Sequence, residues 1–134
     1  MKELNIEAKI ENLKIVNDFL SECFEDAGCS MKMMMQLELV TEELFANVCN
    51  YAYDDAIGMI CIGAEAKDGM LSLTFTDSGK PYDPLKKEDP DITLSAEDRP
   101  IGGLGVFMVK NIMDDVSYEY KDGKNILTVK KKIG

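Results

Sequence analysis

Glu43 and Asn47 are four residues apart in a stretch with helical spacing, so their side chains stack one turn above the other on one face. An asparagine carbonyl is a hard oxygen ligand suited to Mg²⁺, and a carboxylate one turn earlier can act as a general base or orient an attacking group. Asp77 continues a two-residue alternation in which Leu71, Leu73 and Phe75 share its face while Ser72, Thr74 and Thr76 share the other. Its carboxylate therefore falls in the buried register, where it needs a donor such as an adenine amino group. Ser78-Gly79, directly after it, lets backbone approach a ligand closely. Gly102-Gly103-Leu104-Gly105 opens the apolar run Val106 to Val109; glycines at a helix start leave amide groups pointing at an anion, and the helix dipole adds to the attraction. Arg99, the sole arginine, stands just upstream, in reach of a terminal phosphate.

Taken singly, each feature has a plainer reading. Charged helix positions are usually solvated, an aspartate ending a strand often caps its own turn, a glycine cluster is by default a flexible turn, and Arg99 can pair with Asp98 or Glu97. The helix bearing Glu43 nevertheless carries two polar stripes, one of Lys32, Gln36, Glu43, Asn47, Asn50 and Asp54 and one of Glu38 and Glu42. Two stripes divided by apolar positions serve more than a single solvent face. No glycine-rich loop ends in Gly-Lys-Ser/Thr, which excludes a P-loop, and the catalytic-loop and metal-binding triplets of the protein-kinase fold are missing.

These residues need elements to position them. Leu4, Ile6, Ala8 and Ile10 alternate with polar residues and predict an opening strand. Glu11 to Ala27 changes to helical spacing and stops at Gly28; Ser30 can cap a longer helix reaching about Tyr53, with an apolar stripe of Leu37, Val40, Leu44, Val48 and Tyr51. Ile60, Ile62 and Ala64 before Lys67-Asp68-Gly69, and Leu71 onward after it, predict a hairpin. A short helix over Gly105 to Met113 and a second hairpin about Lys121-Asp122-Gly123 follow. The order predicts an α+β protein, a two-layer α/β sandwich in which helices cover one face of a mixed, mostly antiparallel sheet. All four prolines and an acidic cluster fall between Ser78 and Gly103, an irregular stretch long enough to serve as a lid.

A chain of 134 residues with 46% hydrophobic residues suits one domain, residues 1–134, with one core. Its net charge of −10 argues against a nucleic-acid or anionic-membrane partner, since both demand a basic surface. The lysine run 130–132 reads as a solvated edge of the last strand. The first residues show neither a signal peptide nor a membrane span, so a cytoplasmic location is expected. Cys23, Cys29, Cys49 and Cys61 lack metal-ligand spacing and no histidine accompanies them; they read as reduced, mostly buried thiols.

In chain order, Glu43-Leu44-Phe45-Ala46-Asn47 resembles the N box of GHKL ATPases, Asp77-Ser78-Gly79-Lys80-Pro81-Tyr82-Asp83-Pro84 resembles their first glycine box, and Arg99-Pro100-Ile101-Gly102-Gly103-Leu104-Gly105 resembles the second. The Asp-Pro ending of the first box and the Gly-Gly-Leu-Gly form of the second are similar to the anti-sigma-factor serine kinases. The likeness covers nearly the whole chain. It implies the Bergerat ATP-binding fold, with Asn47 on Mg²⁺, Asp77 on adenine and Glu43 as catalytic base. By the same resemblance Asn50, Gly79, Tyr82, Arg99, Gly102, Gly103, Leu104, Gly105 and Val106 belong to the ATP site. Proteins of this kind bind a sigma factor, phosphorylate a serine on a STAS-type antagonist and are often homodimers.

Two departures bear on activity. The chain has no histidine, so it cannot be a complete histidine kinase that phosphorylates itself on that residue, and Asn50 and Tyr51 stand where many relatives carry a basic residue or histidine. The leading expectation is an ATP-dependent serine/threonine kinase. The alternative is a non-catalytic module whose grip on a regulatory partner depends on ATP; a degenerate domain acting by contact alone fits least well with an intact set of motifs.

Overall fold

The computed structural model describes residues 1–53, 57–86 and 103–133. Along the chain come β1 (Lys2–Glu7), α1 (Leu13–Asp26), α2 (Met31–Asn47), β2 (Met59–Lys67), β3 (Met70–Asp77), α3 (Gly103–Ile112), β4 (Asp115–Lys121) and β5 (Lys124–Lys132). The sheet runs β1-β2-β3-β5-β4, and every neighbouring pair is antiparallel. Helices cover one face, giving the expected two-layer α+β architecture.

Local chemistry explains the element ends. β1 stops at Glu7, short of the alternation through Ile10, because Asn12 turns the chain: its side-chain amide donates to the Glu7 carbonyl at 2.9 Å and its N–H to the Lys9 carbonyl at 2.9 Å. Ile10–Asn12 accordingly forms a 3₁₀ turn leading into α1. At the far end of α1, Gly28 takes φ +79°, the Cys29 N–H reaches the Phe24 carbonyl and the Gly28 N–H reaches that of Glu25, a Schellman stop. Ser30 then caps α2, its hydroxyl oxygen accepting from the Met33 N–H at 3.2 Å. Both hairpins turn through Asp-Gly pairs with positive φ, Asp68-Gly69 and Asp122-Gly123, as a two-residue type I′ connection demands.

One departure lies at the end of α2. The α-helix ends at Asn47 and continues as a π turn, Val48–Ala52. The wider winding shifts the register by about one residue, so Tyr51, expected on the apolar stripe, is exposed and stacks on Tyr82 with ring centroids 5.1 Å apart.

The core lies between the helices and the covered face of the sheet. Val16, Leu20, Cys23 and Phe24 of α1 and Leu37, Val40, Thr41, Leu44 and Phe45 of α2 meet Ile60, Ile62, Leu71, Leu73, Phe75, Leu127 and Val129 from the strands. Buried Thr41 satisfies its hydroxyl on the Leu37 carbonyl at 2.8 Å. Phe24, Phe45 and Phe75 are the largest fully buried side chains; truncation of any one to alanine costs roughly 3–5 kcal/mol.

The lysine run is not at an edge. β5 is interior, flanked by β3 and β4. Lys131 donates from Nζ to the Ile112 carbonyl at 2.7 Å, a cation on the C-terminal end of α3, and the Lys132 N–H reaches Asp114 Oδ2 at 2.7 Å. Of the stretch expected as a lid, residues 87–102 lie outside the described residues; residues 78–86 are structured and end in a 3₁₀ turn, Pro84–Lys86.

Candidate functional site

A cleft opens where α2 and its π turn pass over the ends of β3 and β5. Leu44, Val48, Ala52, Phe75 and Leu127 form its apolar wall, Asn47, Asp77, Tyr118 and Asn125 supply the polar groups, and Tyr82 and Pro84 come from the segment after β3. An apolar slot with a few convergent polar groups is what a planar, edge-polar ligand such as a purine requires.

The floor is set by strand register. Asp77 of β3 stands directly opposite Asn125 of β5, and both are only 5% exposed. Asp77 Oδ1 accepts from the Gly79 N–H and from Asn125 Nδ2, each at 2.9 Å, which leaves Oδ2 without a partner among the described residues. The carboxylate is thus half committed to the protein and half available to a ligand in the cleft.

Several backbone N–H groups after β3 have partners within the fold. The Ser78 N–H donates to Tyr53 Oη at 3.0 Å, the Lys80 N–H to the Ala52 carbonyl at 2.9 Å, the Tyr82 N–H to Asn125 Oδ1 at 3.1 Å and the Leu85 N–H to Asp83 Oδ1 at 2.9 Å. Tyr53 in turn donates its hydroxyl to the Met59 carbonyl at 2.7 Å. Burial raises the Tyr53 and Tyr118 hydroxyls above the ordinary tyrosine pKa, which keeps both neutral and able to donate. Gly79 passes so close to Ala52 that an added Cβ would fall on the Ala52 carbonyl. A glycine is needed here for approach, not for a special φ.

Glu43 and Asn47 do stack on α2, and Asn47 Nδ2 faces Glu43 Oε1 at 3.4 Å. That contact turns the amide nitrogen away and leaves the carbonyl oxygen of Asn47 for a cation. Among the described residues no three His, Cys, Asp or Glu side chains gather into a metal cluster. Mg²⁺ suits such a place because it keeps waters and phosphate oxygens as most of its ligands and takes few from protein. The first turn of α3 packs directly on Glu43, so that a Cβ at Gly105 would coincide with the Glu43 carboxyl group. The N-terminal end of α3, with its positive dipole, therefore lies beside Glu43.

The other expected site residues divide. Tyr82 lines the cleft, while Asn50 is exposed on the π turn and does not line it. Val106 is 3% exposed, buried beneath α3 and not in the cleft wall. Gly103 and Leu104 begin α3, earlier than the expected start at Gly105; Arg99 and Gly102 lie outside the described residues. Sequence reasoning passed over Asn125 and Tyr118. The signal for Asn125 was the one that singled out Asp77: a polar side chain in register with buried Leu127 and Val129. The cysteines are free thiols, with Cys23 buried and the others half-buried, and burial pushes Cys49 up to about 11.

Residues 6–131 match the model of the histidine kinase-like ATPase domain. The chain belongs to this family. Its membership implies use of ATP. Histidine kinase-like ATPase relatives include the "Serine-protein kinase RsbW" of Bacillus thuringiensis (strain Al Hakam), 25% identical over 132 residues spanning 96% of this chain and 82% of the relative. The protein of the same name from Bacillus cereus (strain 03BB102) matches with the same identity and coverage. The solved RsbU and RsbW domains of a Mycobacterium tuberculosis protein share the fold with a TM-score of 0.65 at 14% identity, over 98% of this chain and 32% of that longer one. The Acinetobacter baumannii histidine kinase AdeS shares it with a TM-score of 0.52 at 17% identity, over 100% of this chain and 68% of that chain. Among the described residues no helix is long and apolar enough to cross a membrane.

Proposed function

We propose that this domain is an ATP-dependent protein serine/threonine kinase of the anti-sigma-factor type. The observation that carries the reading is that Asp77 and Asn47 line one cleft while Glu43 lies against both Asn47 and the first turn of α3, in a chain that matches serine-protein kinases over 96% of its length. In this reading the apolar wall sandwiches the adenine, Asp77 Oδ2 accepts from its amino group, and the amides of α3 face the phosphates. Asn47 Oδ1 holds Mg²⁺, which when bound neutralises phosphate charge. A serine hydroxyl of a STAS-type antagonist attacks the γ-phosphorus; the new O–P bond forms as the bond to the β-bridging oxygen breaks, the proton passes to Glu43 and ADP leaves. Release of a sigma factor held by the same domain would link the transfer to transcription, and a homodimer is the assembly the resemblance suggests.

The test is transfer of labelled γ-phosphate from Mg·ATP to a STAS-type protein, with Glu43→Gln beside the native chain. We expect the variant to bind nucleotide normally and to transfer roughly 10²–10⁴-fold more slowly, the usual contribution of a general base. Equal transfer by both removes Glu43 from the chemistry. The contact of the Glu43 carboxyl with Asn47 and Gly105 favours a second reading, an ATP-dependent binding module without transfer, because the carboxylate is already engaged; nucleotide-dependent partner binding with no phosphoprotein would select it.

A further inference from the structure

Asn125 is the most heavily used polar side chain at the cleft. Nδ2 donates to Asp77 Oδ1 at 2.9 Å and to the Lys80 carbonyl at 2.8 Å. Oδ1 accepts from the Tyr82 N–H at 3.1 Å and from the Tyr118 hydroxyl. All four hydrogen-bonding positions of the amide are filled. The amide orientation follows from the backbone alone, since a carbonyl can face only the nitrogen and an N–H only the oxygen. One side chain, 5% exposed, thus ties β5 to the carboxylate of β3 and to both ends of the Lys80–Tyr82 segment.

The two halves have one consequence. Gly79 alone would hold Asp77 by a local turn bond, the kind an aspartate makes unaided. The donor from Asn125 makes Oδ1 the internal oxygen and presents Oδ2 to the cleft. At the same time the Oδ1 side of the amide fixes the segment that carries Tyr82, whose ring lines the cleft and stacks on Tyr51. We propose that Asn125 is a positioning residue for base selectivity: it pre-sets Asp77 as an acceptor, so that the site takes a purine bearing an amino group at C6 and rejects one bearing a carbonyl. The proposal rests on the nucleotide reading above and extends it from binding to discrimination. A pre-set acceptor is selective because a carbonyl brought against it leaves two lone pairs facing each other with no proton between them.

The test is titration with non-hydrolysable ATP and ITP analogues, which differ in the C6 amine against a C6 carbonyl. Native protein, Asn125→Asp and Asn125→Ser are compared, each checked for a native-like thermal transition. Asn125→Asp keeps an oxygen for the Tyr82 N–H and the Tyr118 hydroxyl but turns an acceptor on Asp77; Asn125→Ser is too short to reach Asp77 and adds no charge. In either folded variant we expect ATP affinity to fall roughly tenfold or more and ITP affinity to change less than about threefold, so that discrimination collapses. A merely structural role would weaken both nucleotides together, so a folded variant that keeps the native ATP-to-ITP ratio overturns the proposal. Native protein that binds ATP and ITP equally also overturns it while sparing the nucleotide reading; native protein that binds neither removes both.

Discussion

Asp77→Asn separates recognition from folding at the cleft. Asparagine is isosteric with aspartate, so its Oδ1 can keep the two bonds, each 2.9 Å, from Gly79 and Asn125. Those bonds lose charge assistance, which costs on the order of 1 kcal/mol of stability and a shift of about 3–6 °C in Tm for a domain of this size. The group facing the cleft changes from an acceptor to an amide donor. An ATP amine then loses a charge-assisted hydrogen bond worth about 1.5–3 kcal/mol, which corresponds to roughly 10- to 150-fold in Kd. The C6 carbonyl of ITP gains a donor in the same place, so ITP should bind the variant better than it binds native protein. Isothermal titration with both analogues, alongside thermal unfolding, reads all three quantities. Native ATP affinity in a folded Asp77→Asn variant, or equal loss of ATP and ITP, would refute the placement of the base against Oδ2.

Gly79→Ala should lower Tm by roughly 5–15 °C, because its methyl group meets the Ala52 carbonyl and backbone yields less readily than a side chain; differential scanning fluorimetry checks this, and an unchanged Tm would mean the close approach is not there. Asn47→Ala should remove most of the Mg²⁺ dependence of ATP affinity and leave metal-free binding within about twofold, as read by titration with and without EDTA, since only the Asn47 carbonyl is assigned to the cation. Cys49 titrates at about 11 against an ordinary 9.0 because burial disfavours the thiolate. The folded state therefore holds this proton more tightly than the unfolded one, and the stability it contributes is present below pH 9 and lost as pH rises from 9 toward 11. Alkylation mapped by mass spectrometry should accordingly find Cys49 unreactive at pH 8 in folded protein and labelled after unfolding.

Much of the fold was written in periodicity. Alternation in 60–64 and 71–77 predicted β2 and β3, helical spacing predicted α1 and α2, and the Asp-Gly pairs marked both hairpin turns, because each of these rests on residues close in sequence. Where local chemistry overrode periodicity the reading slipped: Asn12 ended β1 early, and the π turn rotated Tyr51 out of the apolar stripe. Candidate site residues were legible in proportion to how local their signal was. The buried register of Asp77 could be read from its own strand, and the stacking of Glu43 on Asn47 from one helix; Glu43, Asn50 and Val106 do not line the cleft.

The sequence by itself determined which residue types sit where along the chain: a carboxylate in a buried register, an Asn one turn after a Glu, glycines ahead of an apolar helix. It could not determine which strand lies beside β3. That neighbour is β5, and the pairing puts Asn125 against Asp77 across 48 residues of chain. Nor did it place Gly105 on the Glu43 carboxyl or Gly79 on the Ala52 carbonyl. Periodicity records the environment of a residue, buried or exposed, whereas partnership depends on how separate elements share one core. Only packing of the helices on the ordered sheet sets the distances at which a carboxylate, an amide and a helix end can act together.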